Sequence, residues 1–154
     1  MFELHSQLAQ DTVPLGQFKL CLVLLHKDAN YPWCVLVPKR KGIREIHHLS
    51  EADQQQLIRE SSHLSEVMTS LFAPTTMNIA ALGNIVQQLH VHHVARFKDD
   101  AAWPASVWGV KPPSEYEPEA LRHRVERLQA SLVGEGFEAE STVLDDNGSQ
   151  GFTP

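Results

Sequence analysis

The sequence has few cysteines, no long hydrophobic run and no excess of basic residues. Its two cysteines, Cys21 and Cys34, lie in apolar runs without CxxC spacing. This arrangement predicts buried free thiols rather than a disulfide or a zinc site. The longest apolar stretch, residues 20–25, is far shorter than the roughly 18 residues that a membrane-spanning helix needs. We therefore expect neither a disulfide scaffold nor a membrane protein.

The charge is unevenly distributed along the chain. The formal net charge is −6, but residues 135–154 hold five acidic residues and no basic one, which leaves 13 basic and 14 acidic residues in 1–134. A nearly neutral folded part predicts no general nucleic-acid binding, which normally requires a basic surface. The N-terminal MFELHSQLAQDT has neither the basic start nor the apolar run of a secretory signal, so a cytoplasmic location is expected.

The length and composition predict one globular domain. The chain has 154 residues, of which 42% are hydrophobic and 21% are charged. A chain of this size buries roughly two thirds of its unfolded surface, which is enough for a substantial core. We expect a single domain over residues 1–134, followed by an acidic, mobile C-terminal tail over 135–154.

The pattern of apolar residues predicts an α+β fold. Apolar runs at 18–25 and 33–38 predict an antiparallel hairpin, and strands at 77–82 and 86–96 are expected to be joined by a turn at Gly83-Asn84. Helical spacing predicts a short opening helix near Leu4 and Leu8, a long helix over 50–72 and a C-terminal helix over about 118–132. An ordered but irregular loop is expected after Lys98. The predicted architecture is an antiparallel sheet with one long helix packed on it and a C-terminal helix.

Three of the nine histidines fall within four residues, in the segment QLHVHHV (88–94). In a strand, Gln88, His90 and His92 would project from one face in steps of about 7 Å. Such a polar row is costly to bury unless its nitrogen atoms are hydrogen-bonded, which indicates a cleft or a ligand. Two alternatives remain: sheet histidines without a chemical role, and a metal site, although no third ligand follows at an obvious spacing.

This segment resembles the signature of the histidine-triad (HIT) nucleotide hydrolases and transferases, in which three histidines alternate with apolar residues. The stretch GNIVQQLHVHHVARF (83–97) carries the resemblance, and the wider pattern of strand pair, long helix, strand and a WP-containing segment extends over about residues 18–108. The resemblance implies a five-stranded antiparallel sheet and a homodimer that binds the α-phosphate of a nucleotide. It implies no metal and no other cofactor.

The resemblance also assigns catalytic roles. His90 matches the central histidine and would be the nucleophile that forms a nucleotidyl-histidine intermediate, a role for which a neutral imidazole is suited. His92 matches the third histidine, expected to hydrogen-bond phosphate oxygens or to help protonate the leaving group. Gln88 stands at the position of the first histidine, where it can orient its neighbours but cannot carry a proton.

Further residues are expected to bind the substrate. Gly83 and Asn84 match the turn before the motif, whose amide residue commonly contacts phosphate, and Asn78 lies where a polar residue often reaches ribose or phosphate. Asp28 or His26 could bind ribose hydroxyls. Arg96 could offset phosphate charge or could pair with Asp99 or Asp100.

Two other positions depart from the family pattern. His93 replaces an apolar residue and is expected to pack inward with its nitrogen atoms hydrogen-bonded. Trp33 stands where an upstream histidine is often found, and together with Gln88 it is expected to mark a bacterial branch of the family.

The function implied is a hydrolase or nucleotidyl transferase that acts on nucleoside phosphoramidates or dinucleoside polyphosphates. A nucleotide-binding module without turnover and a metal-dependent hydrolase using the histidine cluster are the alternatives.

Overall fold

The computed structural model describes residues 1–141, 143–144 and 150–151. The helices are α1 (Ser6–Asp11), α2 (Glu51–Phe72) and α3 (Pro118–Ser131), with a single 3-10 turn at Ile46–His48. The strands are β1 (Thr12–Gln17), β2 (Cys21–His26), β3 (Trp33–Pro38), β4 (Thr76–Ala81), β5 (Val91–Arg96), β6 (Glu138–Ala139), β7 (Val143–Leu144) and β8 (Gln150–Gly151).

The main sheet has six strands in the order β4-β5-β3-β2-β1-β6, and all of its neighbouring strands are antiparallel. This confirms the predicted α+β class and the predicted hairpin of β2 and β3. The strand count exceeds the expected five because the two-residue β6 adds to the edge of β1. The separate pair β7-β8 lies outside the main sheet.

Two strand predictions need correction. β1 was missed because its sequence, TVPLGQ, contains Pro14 and Gly16, which are unfavourable inside strands; the register with β2 is irregular between these two residues. β5 begins at Val91 instead of residue 86. The segment 82–90 between β4 and β5 is an irregular loop rather than a tight two-residue turn. Gln88 and His90 therefore precede the strand that holds His92.

The two longer helices follow the sequence prediction. The side chain of Ser50 caps α2 by accepting a hydrogen bond from the main-chain N–H of Asp53. The C-cap after Phe72 is Ala73, a left-handed residue with φ 47° that directly precedes Pro74. Pro118 is the first residue of α3. The apolar stripes of both helices pack on one face of the sheet, in a core that includes Leu64, Met68, Val125 and Leu128.

The opposite face of the sheet is also covered. β3 is buried along its whole length because helices α2 and α3 cover one face, while α1 and the irregular loops cover the other. On this second face, Val35 and Val37 pack with Leu8 of α1, with Val86 and with Val107. Alternation along β5 then separates two neighbouring histidines, since His93 faces α2 and His92 faces the second layer.

The domain boundary expected at residue 134 remains a prediction. Within the segment expected to be a mobile tail, Glu138–Ala139 pairs with β1, so the chain after residue 134 first returns to the sheet. Residues 142, 145–149 and 152–154 of that tail lie outside the described residues. Among the helices that are described, none is both long and apolar enough to cross a membrane.

Both cysteines are buried free thiols, as the sequence predicted.

Candidate active site

A cavity of about 580 Å³ opens on the second face of the sheet and brings together five of the sequence-predicted residues. Its polar lining includes His26, Asp28, Asn84, His90 and His92. Its apolar lining includes Leu8, Trp33, Val35, Val107 and Trp108. A mostly apolar cavity of this size with a few convergent polar groups is typical of a small-molecule site.

The hydrogen bond of His90 determines which nitrogen atom of its ring is free. Nδ1 lies 2.7 Å from the main-chain oxygen of Gln88. A carbonyl oxygen can only accept, so Nδ1 carries the hydrogen and, in the neutral ring, Nε2 carries the lone pair. His90 is 6% exposed and lines the cavity. The ring thus meets the main condition for the nucleophile's role, since it is not enclosed among aliphatic groups.

His92 has the opposite tautomer. The indole N–H of Trp33 donates to Nδ1 of His92 at 2.9 Å, and an indole can only donate, so the hydrogen of neutral His92 lies on Nε2. The rings of His90 and His92 are in edge-to-face contact, with centroids 4.9 Å apart. Burial, followed by the like charge of His90, lowers the pKa of His92 to about 3. His92 is therefore a neutral donor at physiological pH.

Asp28 and His26 form an ordered corner of the cavity. Oδ1 of Asp28 accepts hydrogen bonds from the main-chain N–H groups of Asn30 and Ser114, which orients the carboxylate. Nδ1 of His26 accepts from the N–H of Asp28 at 3.1 Å, and the imidazole stacks on Trp33 with centroids 3.9 Å apart. Burial lowers the pKa of His26. Both residues that the sequence offered as ribose contacts thus lie in the cavity.

Gln88 does not face the cavity. Its side-chain Nε2 donates to the main-chain oxygen of Glu3 at 2.8 Å, and its Oε1 accepts from the N–H of His5 at 2.9 Å. His5 in turn caps α1, because its Nδ1 accepts from the N–H of Gln7. The residue at the first motif position therefore attaches the N-terminal segment to the loop that precedes His90.

Asn78 and Arg96, which the sequence offered as substrate contacts, are not among the residues that line the cavity. The guanidinium of Arg96 makes two hydrogen bonds to Asp100 at 2.8 and 3.0 Å, one to Oδ1 of Asn78 and one to the main-chain oxygen of Ala105. The side chains of Arg96 and Asp100 are 2% and 4% exposed. Their role is to hold β4, β5 and the following loop together.

Gly83 lies beside the site rather than in the large cavity. It lines a small depression with Arg44, Glu45, Gln88 and His90. A Cβ atom at Gly83 would meet only Oε1 of Glu45, at an ordinary contact distance of 3.8 Å, so the structure gives no steric reason for a glycine there.

His93 packs inward with both nitrogen atoms hydrogen-bonded, as expected. Its Nδ1 lies 3.0 Å from the main-chain oxygen of Val91, and its Nε2 lies 2.7 Å from the hydroxyl of Ser61 on α2. The residue is fully buried.

Sequence reasoning missed the wall that α1 provides. Gln7, Leu8 and Asp11 line the cavity, and Leu8 packs in the same cluster as Trp33. The spacing of Leu4 and Leu8 indicated a helix but not its position, because the place of α1 beside the cavity depends on the course of β1, which was not recognised.

A metal site has no support in the part of the chain that the structure describes. No three side chains of His, Cys, Asp or Glu lie there in positions from which they could share one ion.

Comparison with known proteins identifies the class. The model of the HIT domain family matches residues 7–99. A histidine triad protein from Marinobacter aquaeolei VT8 is 51% identical, with a TM-score of 0.83 over 86% of this chain and 96% of that one. Another, from Bradyrhizobium japonicum, is 44% identical, with a TM-score of 0.84 over 85% of this chain and 98% of that one. The chain therefore belongs to the HIT domain family.

A third structure, a histidine triad protein from Sinorhizobium meliloti 1021, is 36% identical, with a TM-score of 0.82 over 85% of this chain and 97% of that one. No curated protein matches the chain. HIT family proteins are nucleotide-binding hydrolases or transferases.

Proposed function

We propose that this protein cleaves nucleotides at the α-phosphate through a covalent intermediate on His90. The observation that carries the proposal is the hydrogen bond from Nδ1 of His90 to the main-chain oxygen of Gln88, at 2.7 Å. It leaves the Nε2 lone pair available on a ring that lines the cavity. An uncharged imidazole nitrogen is a good nucleophile at neutral pH and a good leaving group afterwards.

The reaction takes place in two displacements. In the first, the Nε2 lone pair of His90 attacks the α-phosphorus, and the bond to the leaving group breaks with its electron pair on the departing atom. In the second, water attacks the phosphorus and releases a proton to the solvent, the N–P bond breaks with its electron pair on Nε2, and the nucleoside monophosphate is released. Another nucleophile in place of water would give nucleotidyl transfer.

The neighbouring residues have roles that follow from their hydrogen bonds. His92 donates from Nε2 to a phosphate oxygen, because Trp33 already occupies Nδ1. The amide of Asn84, on the loop before the motif, is a second donor at the cavity. Positioned donors of this kind stabilise the charge that develops on the phosphoryl oxygens.

The rest of the cavity fits a nucleoside. The oriented carboxylate of Asp28 can accept hydrogen bonds from ribose hydroxyls, and the Nε2–H of His26 can donate to them. The apolar walls, which include Leu8, Trp33 and Val35, suit the faces of a base.

AMP release tests the proposal directly. Wild-type protein should release AMP from adenosine phosphoramidate or from diadenosine polyphosphates, and His90→Ala should reduce the rate by at least about 1000-fold. His123→Ala is the matched control, since His123 is exposed on α3, which packs on the other face of the sheet. A rapid quench in denaturant at alkaline pH, in which the P–N bond of a nucleotidyl-histidine survives, followed by mass spectrometry should find an AMP adduct on His90. Equal turnover by wild type and His90→Ala would remove His90 from its role.

A nucleotide-binding module without turnover is the second candidate. It is favoured by Gln88, a side chain that does not titrate and whose two polar atoms are both bound to the N-terminal segment. Tight AMP binding by calorimetry, without release of AMP from either substrate class, would select this candidate.

We also propose a homodimer formed through the β4 edge. β4 lies at one end of the main sheet, and the strand and the following loop expose Ile79 (52%), Leu82 (38%) and Ile85 (91%). Apolar side chains beside an open strand edge are typical of a protein interface. Sedimentation should give a dimer mass for wild type and a monomer mass for Ile79→Lys. The control is Ile58→Lys, which should leave the mass unchanged, because Ile58 is exposed on α2, away from β4.

A further inference from the structure

Three side chains near His90 stand at histidine positions of the family and could supply a proton to the leaving group, namely His92, Gln88 and Trp33. The first is His92, whose ring is held by aromatic neighbours. Trp33, which donates to Nδ1 of His92, is itself stacked on His26 and is in edge contact with Trp108, at 5.7 Å between centroids. A second proton on His92 would have to go to Nδ1. It would replace the 2.9 Å hydrogen bond by two N–H groups that face each other.

The surroundings of His92 also oppose a positive charge. The side chain is 7% exposed, and His90, His26 and His93 are the titratable groups that act on it. Burial is the main cause that lowers the pKa of His92, and each of these three histidines, when protonated, lowers it further. His92 can therefore donate the hydrogen on Nε2, but it does not hold the extra proton that a general acid must give up at neutral pH.

Gln88 and Trp33 cannot supply a proton to the leaving group either. Gln88 has a neutral amide, and both of its polar atoms are bound to Glu3 and His5. Trp33 has an indole N–H, which does not ionise in this pH range. The family's histidine positions in this chain thus hold one neutral imidazole, one amide and one indole around the nucleophile.

The remaining charged residues of the cavity are Asp11, Asp28 and Lys111. Oδ1 of Asp28 accepts hydrogen bonds from the main-chain N–H groups of Asn30 and Ser114, which hold this side chain at its corner of the cavity. Oδ1 of Asp11 accepts from the side chain of Gln7. Lys111 is exposed at the rim, where its ammonium group can attract an anion.

We infer that this site expels leaving groups that depart as stable anions, so its substrates are nucleotide anhydrides rather than phosphoramidates; this rests on the proposed function. The lone pair of His90 Nε2 forms the N–P bond while the P–O bond of the anhydride breaks. The electron pair stays on the departing phosphate or carboxylate oxygen, and no proton is needed. An amine, by contrast, must be protonated before or while its P–N bond breaks, because an amide anion is far too basic to leave.

A leaving-group series tests the inference. The substrates are AMP esters of phenols that cover a range of pKa values, together with diadenosine tetraphosphate and adenosine phosphoramidate. For wild type, kcat/KM should fall steeply as the phenol becomes more basic. It should also be at least about 100-fold higher for the tetraphosphate than for the phosphoramidate, the size of effect that a missing general acid produces.

Trp33→Phe is the diagnostic variant, since it keeps an aromatic ring but removes the donor to His92. The variant should raise kcat/KM for the phosphoramidate relative to the tetraphosphate by at least about threefold, because Nδ1 becomes free to accept a proton. Trp103→Phe is the matched control, since Trp103 packs beside Arg96 outside the cavity lining. If Trp33→Phe does not fold, nitrogen NMR of wild type decides, and it should show His92 protonated at Nε2 alone at pH 7.

The outcomes separate this inference from the proposed function. A shallow dependence on the phenol pKa, or equal cleavage of the phosphoramidate, would overturn the inference and leave the function of His90 intact. An unchanged substrate ratio in Trp33→Phe, or NMR showing a cationic His92, would also overturn it. If none of the substrates is cleaved, the proposed function itself fails.

Discussion

The side chain of Gln88 bridges two main-chain groups of the N-terminal segment, donating to the oxygen of Glu3 and accepting from the N–H of His5. At the same time, the main-chain oxygen of Gln88 orients His90. One residue therefore links the α1 wall of the cavity with the proposed nucleophile.

Gln88→Ala should weaken nucleotide binding with a smaller effect on the chemical step. Loss of two hydrogen bonds removes about 1–3 kcal/mol that orders the N-terminal segment, so we expect KM and the AMP dissociation constant to rise about tenfold. Hydrogen exchange over residues 1–11 should become faster. Gln87→Ala, at the exposed neighbouring position, is the control. Unchanged exchange together with unchanged KM would show that the bridge does not position the wall.

Asp100→Ala should destabilise the protein without a specific effect on catalysis. The pair of Arg96 and Asp100 is buried, and removing one partner leaves an uncompensated charge, which costs about 3–5 kcal/mol. Urea unfolding measures the loss, and Asp99→Ala, at an exposed position, should change stability little. Steady-state kinetics well below the unfolding temperature should give a KM close to that of wild type. A large rise in KM alone would restore a binding role for this cluster.

The stability of the protein should fall as the pH decreases from about 6.5 toward 4. Burial lowers the pKa of His93 to about 4 and is the main cause that lowers that of His92 to about 3, so the unfolded chain binds protons over this range that the folded chain excludes. Because the unfolded chain is protonated at His92 and at His93 over this range, each of these two residues should lower the free energy of unfolding by roughly 2 kcal/mol between pH 7 and 5.

His93→Gln isolates one of these contributions. The variant should be less stable at pH 7, because the contacts with Ser61 and Val91 are weakened, but it should lose less stability between pH 7 and 5 than wild type. Urea unfolding at several pH values provides the comparison. Parallel pH dependences for the two proteins would contradict a neutral, buried His93.

The two thiols should be unreactive in the folded protein. Burial raises the pKa of Cys34 to about 12, and burial together with the carboxylate of Glu60 raises that of Cys21. A thiol reagent should modify neither residue under native conditions and both in denaturant. Rapid modification of either cysteine in the native state would show that it is accessible.

The sequence predicted those parts of the fold that local patterns determine. α2 and α3 were predicted close to their observed bounds because apolar spacing and capping residues act within one or two helical turns. β1 was missed because Pro14 and Gly16 weaken its local pattern, and its pairing with β2 is a tertiary property. The start of β5 was placed too early because polar and apolar residues already alternate from Gln88, where the chain still forms a loop.

In the candidate site, too, the sequence predicted the residues of the local motif but not the contacts that depend on tertiary structure. The motif predicted His90 and His92, which lie within three residues of each other, and both line the cavity. Arg96 was ambiguous, because only the folded loop shows that Asp100 rather than Asp99 is its partner. The contact of Gln88 with Glu3 and His5 spans more than 80 residues and has no local signal.

The stacking of Trp33 on His26 gives the protein an intrinsic optical probe. Two of its three tryptophans, Trp33 and Trp108, line the cavity, and the third, Trp103, lies beside Arg96. Indole emission is quenched or shifted when its surroundings change, so an incoming base should alter the fluorescence without any label. In a Trp103→Phe background the whole signal would originate at the cavity, and stopped-flow mixing could then time ligand arrival separately from bond cleavage.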